Sequence, residues 1–206
     1  QRDALVGQHA GAFAQWADAS AAQRYADQDA AAPQSDAPEL PAPAAAPLPA
    51  LAYCRPTALE GCLAHVRGDT TAVVADLAAR SGLIERIAGL AAYQHARSPY
   101  QPDVAAPLPA GLARLFTALP AHALAHVQGN SDAALAGLCR DMGSARMLAS
   151  RSDSLVVTML GARWLHANGQ LLAITQKNVA AKAMTACAID AHFLLTLQIT
   201  ATSALS

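Results

Sequence analysis

Two histidines lie four residues apart in the sequence, and this spacing is the first candidate for chemistry. His122 and His126 fall in a segment predicted to be helical, so both imidazoles can face one side and share a metal ion. The zinc-protease pattern has Glu directly after the first histidine, where this chain has Ala123. A third ligand would have to come from Asp141, His166 or another part of the chain.

A second interpretation places histidines at helix ends. His65, His126 and His166 each come three residues before a glycine, and a protonated imidazole interacts favourably with the dipole at a helix C-terminus. Three such positions favour this capping role over metal binding. We therefore predict no metal site and no catalytic histidine, and His122, His126 and His166 stay as candidates only.

A thiol nucleophile is the next possibility. Cys139 with His126 or His166 would form a thiol–imidazole pair. However, Cys139 shares the predicted apolar stripe of its helix with Leu135 and Met142, which favours packing. The Gly-x-Ser-x-Gly, GxxxxGK[ST] and GxGxxG patterns are absent from the sequence, so no serine nucleophile and no nucleotide cofactor is predicted.

The cysteines also bear on the compartment. Cys54 lies just before a predicted helix start, where Thr57 and Glu60 form a capping-box pattern, and Cys62 lies inside that helix. A Cys54–Cys62 disulfide in an oxidising compartment and two buried thiols are both compatible with this spacing. The sequence leaves the pairing of Cys139 and Cys187 open.

The elements that position these residues include a repeated phrase. LAHVRGDTTAVVADL at 63–77 returns as LAHVQGNSDAALAGL at 124–138, which is 61 positions later (124 minus 63). Gly68 and Gly129 suit the left-handed position that ends a helix, and Asp69 and Asn130 suit the cap of the next helix. Each copy is therefore predicted to be a corner between two helices, and a third corner is predicted at Asn168-Gly169.

The phrase LAHVQGNSDAALAGL resembles the corner of a tetratricopeptide-type helical hairpin. The resemblance implies antiparallel helix pairs with a concave surface that binds peptides or protein partners. The offset of 61 differs from that family's period of about 34, so only the helical-hairpin architecture is carried over. An Ala/Pro-rich spacer and the segment CRPTALEGCL are also similar to uncharacterised anchored, extracytoplasmic proteobacterial proteins.

Composition limits the fold and the partners. Hydrophobic residues make up 53% of the 206 residues and aromatic residues only 4%, which favours an all-α fold of antiparallel helical hairpins, as a bundle or short α-solenoid. We predict an N-terminal helix at 1–29, a Pro/Ala-rich linker at 30–52 and an α-helical domain at 53–206. The formal charge of −1 excludes a nucleic-acid partner, and the structure of 183–206 is left open.

These observations favour a non-catalytic protein-interaction or scaffold module of the bacterial cell envelope. The chain starts at Gln1 without Met, so a signal peptide or membrane anchor is expected to have been removed. The expected location is the periplasm, or an extracytoplasmic site on a membrane anchor. Trp164 is a candidate anchor for a protein partner, although a single aromatic residue at helical spacing usually packs in the core. The alternative is a hydrolase-type enzyme that uses a histidine at a helix end, His126 or His166, and a small-molecule binder is a third possibility.

Overall fold

The computed structural model describes residues 2–26, 51, 53–100, 106 and 112–176. This part of the chain is all-α, as predicted, with seven α-helices and no strand. The predicted linker at 30–52, apart from Leu51, and the segment 183–206 lie outside the described residues.

The helices are, in chain order, α1 (Arg2–Ala26), α2 (Cys62–Gly68), α3 (Thr70–Ala78), α4 (Ser81–Gly89), α5 (Leu119–Val127), α6 (Ser131–Ser150) and α7 (Leu155–Gln176). Short 3-10 helices lie at Leu90–Ala92 and Leu112–Ala118. The chain divides into two compact units. The first comprises 1–47 with 97–110, and the second comprises 48–96 with 111–206.

The first unit contains α1 and an aromatic cluster. Phe13 is fully buried and contacts the rings of Trp16 and Tyr100. The Tyr100 hydroxyl and Nδ1 of His9 share a hydrogen bond of 2.9 Å. These contacts join α1 to the segment around residue 100 within this unit.

The second unit contains the two corners predicted from the repeated phrase. At Gly129 the prediction is confirmed, because this residue has a φ of +84° and the Asn130 side chain accepts a hydrogen bond from the Ala133 amide at the start of α6. At Gly68 the left-handed prediction is wrong. Gly68 is the last residue of α2, and the turn is made by Asp69, whose φ is −143° and whose carboxylate caps α3.

The Cys54–Cys62 disulfide is present, and α2 begins later in the chain than predicted. The Cα atoms of the two cysteines lie 4.5 Å apart, whereas eight residues of continuous helix would span about 12 Å. The segment between them is therefore a closed loop, and α2 begins at Cys62 instead of the predicted Thr57. Cys54 adopts a φ of +51° in this loop, a backbone conformation that residues other than glycine rarely adopt.

The corner predicted at Asn168-Gly169 is wrong, because α7 continues through both residues. Asn168 is buried, and its Nδ2 donates a hydrogen bond of 2.8 Å to the Trp164 carbonyl oxygen one turn earlier. The amide thus bonds within the helix instead of ending it. His166 consequently lies inside a helix and not at its end.

Helix α6 lies at the centre of the second unit and packs against α5 and α7. Its fully buried residues include Leu138, Met142 and Ala145. The contact with α7 is close at Gly161, where an added Cβ would lie 2.7 Å from the backbone nitrogen of Ala149. Among the described helices, none combines the length and apolar character needed to cross a membrane.

Candidate functional site

A buried polar pair joins α5 to α6. Nε2 of His122 and Oδ2 of Asp141 share a hydrogen bond of 2.8 Å, and both residues are buried. The other carboxylate oxygen, Oδ1, accepts hydrogen bonds of 3.1 and 3.0 Å from Nε and Nη2 of Arg140. Both oxygens of Asp141 are therefore bonded, and its charge is compensated by the guanidinium.

Gly137 provides the space in which the His122 ring lies. It precedes Asp141 by one helical turn on α6, and a Cβ built at Gly137 would lie 2.5 Å from both Cε1 and Nδ1 of His122. The ring therefore packs directly against the α6 backbone through its Nδ1 edge. The role of Gly137 was not predicted from the sequence, since a glycine within a helix gives no sign of which side chain it faces.

His126 occupies a separate position at the end of α5. Its Nδ1 and the Ser131 hydroxyl, in the first turn of α6, share a hydrogen bond of 3.0 Å. Burial lowers the pKa of His126, and the positive charge of Arg67 on α2 lowers it further. His126 lies in the last turn of α5 as predicted, but both effects favour the neutral ring over the imidazolium, and Nδ1 bonds to the Ser131 hydroxyl.

The two histidines spaced for a metal ion therefore bond to different partners. His122 is paired with Asp141 and His126 with Ser131. Within the described residues, no group of three or more His, Cys, Asp or Glu side chains is placed to hold a metal ion. His166 lies on α7 and is half-buried.

The thiol–imidazole pair considered for Cys139 does not form. Cys139 is disulfide-bonded, and its partner sulfur lies outside the described residues. A disulfide sulfur is not a nucleophile of the thiolate kind. Trp164 is fully buried in a cluster with Ala145 and Leu148. Its ring therefore packs in the core and cannot contact a protein partner at the surface.

The exposed apolar side chains lie elsewhere. Leu155 and Met159 are 74% and 63% exposed, four residues apart at the start of α7. The exposed Arg163 follows after another four residues. Residues spaced by four share one side of a helix, so we call Leu155, Met159 and Arg163 the α7 patch. This patch was not predicted from the sequence, because the 53% of hydrophobic residues in the chain give no sign of which ones stay exposed.

No protein-family model, curated protein or solved structure matches the chain, so the site is interpreted from its own geometry. A histidine held by a buried carboxylate is the arrangement that orients an imidazole for acid–base chemistry. Here the opposite edge of the His122 ring lies against the Gly137 backbone. The contacts of His122 therefore fix the position of α5 on α6.

Proposed function

We propose that the protein is a non-catalytic protein-binding or scaffold module of the bacterial cell envelope. The observation that carries this proposal is the α7 patch, where two large apolar side chains are exposed side by side on a long helix. A group of exposed apolar side chains on a rigid element is typical of a surface that contacts another protein.

The chemistry of the patch indicates the kind of partner. Leu155 and Met159 offer apolar area, and methionine adapts its shape to varied surfaces. Arg163 adds a cation at one end of the same row and can pair with a carboxylate in two-point geometry. The proposed partner is a protein segment with apolar side chains followed by an acidic residue.

The polar pairs of α5 and α6 support a structural role for the histidines. His122 and His126 are both buried and both bonded to side chains of α6. The resemblance of the 124–138 phrase to a tetratricopeptide corner agrees with a partner-binding function.

The disulfide bonds support the envelope part of the proposal. The Cys54–Cys62 disulfide is compatible with an oxidising extracytoplasmic compartment. Cys139 is also disulfide-bonded. The periplasm is the compartment in which a bacterial protein would keep both bonds.

The test is partner capture that depends on the α7 patch. The native protein and a Leu155→Ser/Met159→Gln variant are used to capture proteins from the native envelope. A Val74→Thr variant is the matched control, because Val74 is an exposed apolar residue of α3 outside the patch. We expect a protein that is enriched by the native chain and the control but not by the patch variant. Equal recovery with all three would contradict the proposal.

The hydrolase alternative has one observation in its favour, which is the carboxylate-held imidazole of His122. It is tested with a panel of ester and amide substrates. Activity that disappears in a His122→Gln variant, or in the His126→Gln/His166→Gln variant, with folding retained, would favour the enzyme over the binding module.

A further inference from the structure

Helix α7 contains two buried polar atoms of opposite kind. Trp164 and Asn168 are both fully buried. In the described part of the chain, neither the indole Nε1 of Trp164 nor Oδ1 of Asn168 has a hydrogen-bond partner. The indole nitrogen can only donate a hydrogen bond and the amide oxygen can only accept one, so the two atoms are complementary.

The orientation of the Asn168 amide is fixed by its other end. Its Nδ2 donates to the Trp164 carbonyl oxygen at 2.8 Å. Rotating the amide by 180° would place Oδ1 against that carbonyl oxygen, which is repulsive. Oδ1 therefore keeps its position beside the helix backbone and cannot exchange roles with Nδ2.

The spacing of the two residues brings their side chains to one side of α7. Residues four apart on a helix have Cβ atoms about 5–6 Å from each other. The contact of α7 with α6 is close just before them, since a Cβ at Gly161 would lie 2.7 Å from the Ala149 nitrogen. Trp164 follows Gly161 by three residues and packs with Ala145 and Leu148, so Trp164 and Asn168 share the face of α7 that packs against α6.

Leaving a polar group unpartnered in a core shifts the unfolding equilibrium by about tenfold or more, and internal waters usually occupy such positions. We infer that one internal water molecule bridges Trp164 and Asn168. The indole N–H donates to the water oxygen, and one water O–H donates to Oδ1 of Asn168. Thr175, on the same helix, needs no such molecule because its hydroxyl donates to the Leu172 carbonyl oxygen at 2.8 Å.

The test is NMR detection of water at the Trp164 indole N–H in the full chain. A long-lived internal water gives cross-peaks of opposite sign in NOE and ROE spectra, and surface hydration does not. We expect this signature at the Trp164 indole, its loss in Asn168→Leu, and its retention in Thr175→Val. The last variant is the matched control, since Thr175 is a buried polar residue of α7 with its own partner.

Absence of the signature in the native protein, or its persistence in a folded Asn168→Leu variant, would overturn the inference. Should that variant fail to fold, a high-resolution crystal structure of the native chain decides. A water within hydrogen-bond distance of both atoms supports the bridge. A protein group in that place, or two separate waters, contradicts it.

Discussion

Replacing Gly137 by alanine tests the contact that holds α5 on α6. The new Cβ would lie 2.5 Å from Cε1 and Nδ1 of His122, whereas ordinary contacts begin at 3.4 Å. The ring must therefore retreat by about 1 Å from a core that is densely packed. It cannot do so without stretching the 2.8 Å hydrogen bond to Asp141.

The expected effect of Gly137→Ala on the free energy of unfolding has three contributions. Replacing glycine within a helix stabilises by about 1 kcal/mol. Overpacking a core costs about 1–3 kcal/mol, and weakening the hydrogen bond to the buried Asp141 costs about 1–3 kcal/mol. We expect Gly137→Ala to lower the free energy of unfolding by about 3 kcal/mol, measured by urea denaturation.

The matched control is Gly143→Ala on the same helix. No atom lies within 4 Å of a Cβ built at Gly143, so this variant should gain about 1 kcal/mol from helix propensity. In a His122→Ala background, Gly137→Ala should become as favourable as Gly143→Ala, because the ring that obstructs the Cβ is gone. If Gly137→Ala is no less stable than Gly143→Ala in the native background, the packing argument is refuted.

Three more outcomes are expected. First, the pKa of His126 is lower in the folded protein than its ordinary value of 6.5, so the unfolded chain binds the proton more tightly. Stability should fall as the pH drops below about 6.5 and level off below the folded pKa. His126→Gln should lose this part of the pH dependence in urea titrations, and an unchanged pH profile would argue against the burial of a neutral ring. Second, Gly161→Ala should lower the free energy of unfolding by about 1–3 kcal/mol, because the new Cβ meets the backbone of Ala149; a melting temperature equal to the native one would show that α7 can shift away. Third, the unreduced protein should show no reactive thiol even after denaturation, and four thiols after reduction. Removing the bond with Cys54→Ser/Cys62→Ser should cost about 2–3 kcal/mol, and a thiol signal before reduction would contradict the assigned oxidation state.

Of the three helix corners predicted from the sequence, the left-handed glycine was correct only where the backbone requires a positive φ. At Gly129 the chain needs a positive φ, which glycine adopts without steric cost, and the cap Asn130 follows from that geometry. Gly68 carries the same sequence signal, but Asp69 makes the turn with a φ of −143° and a ψ of 63°, so the left-handed residue is not needed. At Asn168 the same residue types lie in a continuous helix, because burial favours an amide bonded to the helix backbone.

The site was less predictable than the helices. His122 and Asp141 were both considered from the sequence, but as possible metal ligands and not as a pair joined by a hydrogen bond. Which face of α6 meets α5 depends on the packing of whole helices, and helix periodicity does not determine it. The role of Gly137 follows only from that packing, and the exposure of Met159 similarly depends on what lies beside α7.

The sequence order of the packed helices has a consequence for the kinetics of folding. The main contacts of α6 are with α5 and α7, its immediate neighbours along the chain. Such contacts close short loops, which costs little chain entropy and permits fast formation. By contrast, α2 packs against α5 across 50 intervening residues, 69–118. The segment 119–176 should therefore collapse first and serve as the template on which α2 and α3 dock in a later, slower step.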